Sequence, residues 1–261
     1  SGVLALGGTW LSGRLLASYG FPDAYALSFL FAFVILTLGV AGFPFVKELP
    51  ASGTRPRIGT LAYLRSAPVL LREDTQFGTF VLTQVIYSFS YMAPAFYTAY
   101  ALDRFQVSAR EVALFTTVLM ASTTLANLCL GLVADRRGNK PVLQVSMCLA
   151  IAASILTLLA PSNGWMYAVF ALNGVVITGA NLGGYNMPLE FAPRPQVPTY
   201  SAVSMTAIAP FRAVVPLFGG ALAVMGYGPV FGVSAISSVV SLVLLTTRVR
   251  DPRHRAHEVS E

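Results

Sequence analysis

Residues 131–143 read Gly-Leu-Val-Ala-Asp-Arg-Arg-Gly-Asn-Lys-Pro-Val-Leu. The charges cluster at the centre, in Asp135, Arg136, Arg137 and Lys140, and long apolar segments lie on both sides. A loop this short between two such segments must reverse the chain at a surface. Gly131 and Gly138 are the residues expected to permit the reversal, through close approach or positive φ.

The apolar flanks are part of a chain-wide pattern. The sequence is 55% hydrophobic and 11% charged, with mean hydropathy +0.67. A soluble domain carries about 25% charged residues. Eight apolar runs occur, at 2–16, 22–46, 76–102, 111–134, 141–160, 164–187, 200–225 and 228–247. A spanning helix needs about 20 apolar residues. The runs do not alternate, so helices are expected to satisfy their backbones. The first run has no charged segment before it, so it does not read as a signal peptide.

Placing 135–140 on the cytoplasmic side and alternating outward sorts the positive charge. Lys47, Arg55, Arg57, Arg65, Arg72, Arg136, Arg137, Lys140, Arg194, Arg248, Arg250, Arg253 and Arg255 fall on that side, against Arg104 and Arg110 outside. This is a positive-inside distribution. It accounts for the basic charge balance without nucleic acid. Cys129 and Cys148 lie within separate apolar runs and are expected to be small core residues, not a disulfide. His254 and His257 lie in the polar tail, and no CxxC, HExxH or Walker sequence occurs. No enzymatic function, metal or cofactor is expected, and ATP-driven transport would require a partner protein.

The 131–143 stretch resembles the signature loop of the major facilitator superfamily of secondary transporters, in which Gly-x-x-x-Asp-Arg-x-Gly precedes basic residues and an apolar helix. Gly131, Asp135, Arg136, Gly138 and Lys140 match. Asn139 stands where a basic residue is usual, so one carboxylate or phosphate-like contact is expected to be lost. The resemblance implies an all-α integral membrane protein built from two parallel six-helix halves. An internal repeat agrees with this: 13–22 and 220–229 each place a small-residue helix before a Tyr-Gly turn with proline. On that alignment the chain is expected to be an N-terminally truncated bundle. Residues 1–47 would be the last two helices of the first half, 48–75 a cytoplasmic inter-half loop, 76–247 the complete second half, and 248–261 a cytoplasmic tail. Residues 58–64 could form a short interfacial helix within the loop. The resemblance also implies that Asp135, Arg136 and Glu190 join a cytoplasmic charge cluster that locks one state of the cycle. A surface ion pair without coupling is the alternative.

Polar residues within apolar runs mark candidate cavity positions, because their burial in lipid is expensive. Arg212 lies mid-run, flanked by Pro210 and Pro216, which would loosen the helix. It either faces a cavity and binds an anionic group, or pairs structurally with Glu190 or snorkels. Gln84, Ser88 and Tyr91, with Tyr87 beside them, suggest one polar helical face. Asn173 and Asn181 lie on a run whose glycines permit close packing or local unwinding. The expected function is secondary active transport of a small organic solute by alternating access, with efflux preferred and a proton or sodium ion as the possible coupling ion. A non-transporting polytopic membrane protein, such as a receptor, scaffold or subunit of an ATP-driven importer, is the alternative. The expected setting is the lipid bilayer of a bacterial inner membrane, with both chain ends cytoplasmic and the full-length protein monomeric.

Overall fold

The computed structural model describes residues 23–41, 68–193 and 196–251. The chain divides into two compact units, Ser1–Ile58 and Gly59–Glu261. In the first, helix α1 spans Asp23–Ala41. It is apolar around its whole circumference, and Thr37 returns its hydroxyl to Phe33 O at 2.8 Å. Such a helix requires an apolar environment on every side. The run at 2–16 and the segment expected to form an interfacial helix at 58–64 lie outside the described residues.

The second unit contains α2 (Thr75–Ser88), a 3₁₀ turn (Phe89–Tyr91), α3 (Met92–Phe105), α4 (Ala109–Arg137), α5 (Asn139–Leu159), α6 (Gly164–Phe191), α7 (Val197–Ala223) and α8 (Tyr227–Thr247). The helices α4 to α8 are each long and apolar enough to cross a membrane. Helices α2 and α3 have 14 residues each. At 1.5 Å per residue each reaches only about 21 Å, short of a hydrocarbon core about 30 Å thick. They make up the run at 76–102 jointly.

The break in that run, which the single-face reading of 76–102 did not include, is explained by Pro94. A proline lacks the N–H that would bond the carbonyl four residues back, and its ring crowds that carbonyl. Here that carbonyl is Ser90 O. It accepts a hydrogen bond from Ser234 Oγ of α8 at 3.0 Å. Ser234 Oγ also lies 3.2 Å from Ser154 Oγ of α5. Since the Ser234 proton is committed to Ser90 O, Ser154 is the donor in that pair. Ser238 and Ser241, also buried on α8, bond to Ser234 O at 2.8 Å and to Thr83 O at 3.2 Å.

Helix α6 packs against α4 and α5 at very close range. A Cβ at Gly174 would fall 2.7 Å from Leu119 O, and one at Gly183 would fall 3.2 Å from Asn139 O. Of the two expectations for these glycines, close packing is observed, and α6 is unbroken from Gly164 to Phe191. Helix α7 likewise runs unbroken through Pro210 and Pro216. Aromatic rings fill the end of the unit near the α5–α6 and α7–α8 turns. Phe115 stacks on Phe170 at 5.0 Å, and Tyr97 stacks on Phe231 at 5.6 Å.

Three expectations are corrected. The signature stretch is not a loop: α4 continues to Arg137, α5 starts at Asn139, and Gly138 alone joins them. Gly131 is therefore helical, with open space where its Cβ would be. The turn of the second repeat copy sits at Gly226, φ 109°, and Tyr227-Gly228-Pro229 opens α8. Cys129 and Cys148 are free and exposed, not core residues.

Gly138 and Gly131 should respond oppositely to alanine. Gly138 has φ 88° and ψ 177°, a region open essentially to glycine alone, so Gly138→Ala should lose about 1–3 kcal/mol. Gly131→Ala should be neutral or gain up to about 1 kcal/mol from helix propensity. Thermal unfolding of the two detergent-purified variants against the parent measures both; equal losses would contradict this account of the turn.

Candidate substrate groove

The polar residues of α6 are divided between its two sides. Asn173 is buried, whereas Asn181 and Tyr185, one turn apart, are exposed on the same face. Facing Tyr185 across a groove is Arg212 of α7. Its guanidinium carbon lies 5.2 Å from the centroid of the Tyr91 ring and 6.0 Å from that of Tyr185. Tyr91 ends the 3₁₀ turn, so the break caused by Pro94 helps to place it.

A pocket of about 230 Å³ is lined by Gly184, Tyr185, Ser204, Met205, Ile208, Ala209 and Arg212. A second pocket of about 230 Å³ is lined by Thr123, Asn127, Ile177, Thr178, Asn181, Leu182, Tyr185 and Asn186. Tyr185 belongs to both. A third cavity, about 10 Å³, lies among Ser90, Tyr91, Pro94, Tyr97, Asn173 and Ser234. That is close to the size of one water probe. Asn173 therefore lies beneath the groove, beside the helix break.

The ring faces attract the charge of Arg212, a contribution of roughly 0.5–2 kcal/mol depending on desolvation. They do not accept its N–H bonds. Its Nε is buried and makes no hydrogen bond among the described residues. Glu190, the alternative partner considered for Arg212, instead accepts from Asn139 Nδ2 at 2.8 Å.

Of the sequence candidates, Tyr91, Asn181 and Arg212 line the two pockets or the rings around them. Tyr87 is fully buried, with its hydroxyl 3.0 Å from Ser146 Oγ. Ser146 gives its proton to Val176 O at 2.8 Å, so Tyr87 is the donor. Ser88 is also buried and bonds Gln84 O at 2.9 Å. Gln84 lies just behind the first pocket: a Cβ on Gly184 would meet its Nε2 at 2.9 Å, and its Oε1 is buried without a partner.

At the α4–α5 turn, Asp135 and Arg136 are exposed on the last turn of α4, and Lys140 is half-buried in the first turn of α5. Asn139, where a basic residue was expected, makes a carboxylate contact of its own. Its buried amide reaches the Glu190 carboxylate, so a neutral donor joins α5 to α6. Sequence reasoning missed three further ties at helix ends. Tyr200 donates to Asp74 at 3.2 Å, and Asn163 donates to Glu111 at 2.6 Å. Tyr227 donates to Asp103. Only the buried serines of α8 carried a signal in advance, since Ser234, Ser238 and Ser241 share a helical face.

The glycine-packed α6 and the charged α4–α5 turn belong to one compact helical unit. Residues 77–261 match the family model of the Major Facilitator Superfamily. The chain belongs to the Major Facilitator Superfamily. No curated protein matches it. The match begins in the first turn of α2 and covers every described element after it. Members of this superfamily are membrane transporters, and the five long apolar helices make this chain an integral membrane protein of that kind.

The hydrogen bonds separate support from groove. Tyr87→Phe should cost about 1 kcal/mol of stability, the loss of one neutral hydrogen bond. Asn139→Ala should cost about 1.5–3 kcal/mol, since it removes a donor from a carboxylate. Thermal unfolding reads both; a Tyr87→Phe variant as stable as the parent would show that the Ser146 contact contributes nothing.

Proposed function

We propose that the chain carries the second half of a secondary transporter that moves a small organic solute by alternating access. One observation carries this reading. Arg212 lies within 6.0 Å of the centroids of two tyrosine rings, on the wall of a groove between α6 and α7, with a buried N–H that has no hydrogen-bond partner among the described residues. A central arginine costs some 2.5–3.5 kcal/mol to insert into a membrane. A groove facing solute during the cycle offers it water or an anion. The site would lie near the bilayer midplane, where rocking halves expose it to each side in turn.

Export is the preferred direction, on the frequency of exporters in the superfamily. A proton or sodium gradient is the proposed driving force. Among the described residues of this unit, the carboxylates lie at or near helix ends, from Glu73 and Asp74 to Glu190 and Asp251. This favours a coupling carboxylate, if protons drive the cycle, elsewhere than in these helices. Asp135 and Arg136 are proposed to form state-dependent contacts at the cytoplasmic face. The proposed setting is a bacterial inner membrane, with the protein monomeric.

Two measurements test this. With Cys129 and Cys148 replaced by alanine, a membrane-impermeant maleimide applied to intact cells should label Ser162→Cys and not Arg137→Cys; the reverse pattern would invert the topology. In proteoliposomes of the intact protein, Asp135→Asn and Arg136→Ala should slow gradient-driven solute flux about tenfold or more, equivalent to about 1.4 kcal/mol, at normal expression. Wild-type flux in both variants would remove the α4–α5 turn from the mechanism.

A further inference from the structure

The two pockets that share Tyr185 differ in chemistry, and the difference specifies a ligand. The lobe between α6 and α7 holds one charged group, Arg212, against an otherwise mostly apolar wall of Met205, Ile208 and Ala209. The lobe between α4 and α6 holds no charged residue. It holds three amides, Asn127, Asn181 and Asn186, with Thr123 and Thr178. Asn127 gives its Nδ2 to Thr123 O at 2.8 Å, which leaves its Oδ1 as an acceptor toward the lobe. Tyr185 lines both lobes, and Asn181 of the second lies one helical turn, about 6 Å, before it on α6.

The geometry points to an organic anion bearing hydroxyl groups as the solute. Its carboxylate would bond the guanidinium of Arg212, which lines the first lobe. Its hydroxylated end would lie past the Tyr185 ring, against the amides. The inference rests on the transport reading of this same groove. It adds a charge sign and a polar body to the class of solute. A lipophilic cation is excluded by the sign of Arg212, since the lining residues of both lobes include no carboxylate. A plain fatty anion would satisfy the first lobe and leave the amides of the second unpaired. A neutral sugar would do the opposite and leave Arg212 unpaired. A site built to hydrogen-bond a hydroxyl discriminates strongly against an analogue that lacks it.

The test is equilibrium binding to the detergent-purified intact protein, read by ligand-induced thermal stabilisation across a titration. The probes are gluconate and quinate as hydroxylated anions, hexanoate as a plain anion and glucose as a neutral polyol. Gluconate or quinate should bind about tenfold or more tightly than both hexanoate and glucose, a gap of about 1.4 kcal/mol. Arg212→Gln should bring the hydroxylated anion to the level of glucose, and Arg212→Lys should leave an intermediate affinity, since it keeps charge without the planar fork. Asn127→Ala with Asn181→Ala should bring it to the level of hexanoate and leave hexanoate unchanged. All variants are compared at unchanged elution from size exclusion. Glucose or hexanoate binding as tightly as both hydroxylated anions overturns the inference. Tyr185-dependent binding of tetraphenylphosphonium in place of the anions also overturns it, while the groove survives as a solute site. Binding of every probe that is indifferent to both Tyr185→Ala and Arg212→Gln discards the groove and the inference together.

Discussion

The close approach of α6 to its neighbours is the constraint on which the site depends. Helices in lipid gain little from apolar burial against each other, because the surrounding chains are equally apolar. Their association rests on packing and hydrogen bonds. Gly174 admits the α4 backbone, and Gly183 admits the start of α5. At that range hydroxyls reach main-chain acceptors on the next helix. Ser122 of α4 bonds Ala171 O at 2.5 Å, and Ser146 of α5 bonds Val176 O at 2.8 Å. The same helix carries Asn181 and Tyr185 on its open face and Glu190 at its end. A displacement of α6 would therefore move groove and helix-end contact together.

The α2–α3 break follows a second rule, that backbone polar groups in lipid must be satisfied internally. Pro94 removes one helical bond and leaves Ser90 O exposed to an apolar interior. Ser234 supplies the missing donor from α8, and Ser154 completes the chain to α5. Helices α8 and α5 are thus tied to the turn where the α2–α3 run would otherwise be weakened. Tyr91, at the end of the break, lies beneath Arg212 and edge-on to the Tyr87 ring at 5.8 Å, while the Tyr87 hydroxyl is held against Ser146.

Much of the fold was legible because hydropathy and length act on the whole chain, and local exceptions barely change them. The apolar runs from 111 to 247 became α4 to α8 with ends shifted by a few residues. The interruption within 76–102 was not legible from a 3.6-residue period, which assumes an unbroken helix; Gln84 and Ser88 lie on α2, and Tyr91 ends the 3₁₀ turn that follows it. The turn at Gly138 was misjudged for a related reason. Charge was taken to end the helix, although Asp135, Arg136 and Arg137 are on its last turn and basic residues favour that end. Gly131 matched a pattern without facing a steric demand. Cys129 and Cys148 were misplaced because small size predicts burial in water-soluble cores, whereas on a membrane helix the exposed face is also apolar. The Asn139–Glu190 contact joins residues far apart in sequence and depends on the depth of α5 against Gly183, which no local pattern encodes.

Within the groove, Arg212 joins these arguments. Two tyrosine rings lower the energy of its charge without using its hydrogen-bond donors. A carboxylate in their place would satisfy both and would also close the site to an anion. Aromatic rings therefore hold the cation in position yet leave its donors available. The amides across Tyr185 have the complementary property, since they are polar, uncharged and indifferent to the sign of the head group. Charge selection and body selection fall on opposite sides of one ring, which allows either to change by substitution without dismantling the other. Because the ring is carried on α6, the spacing of the two functions is fixed by helix geometry.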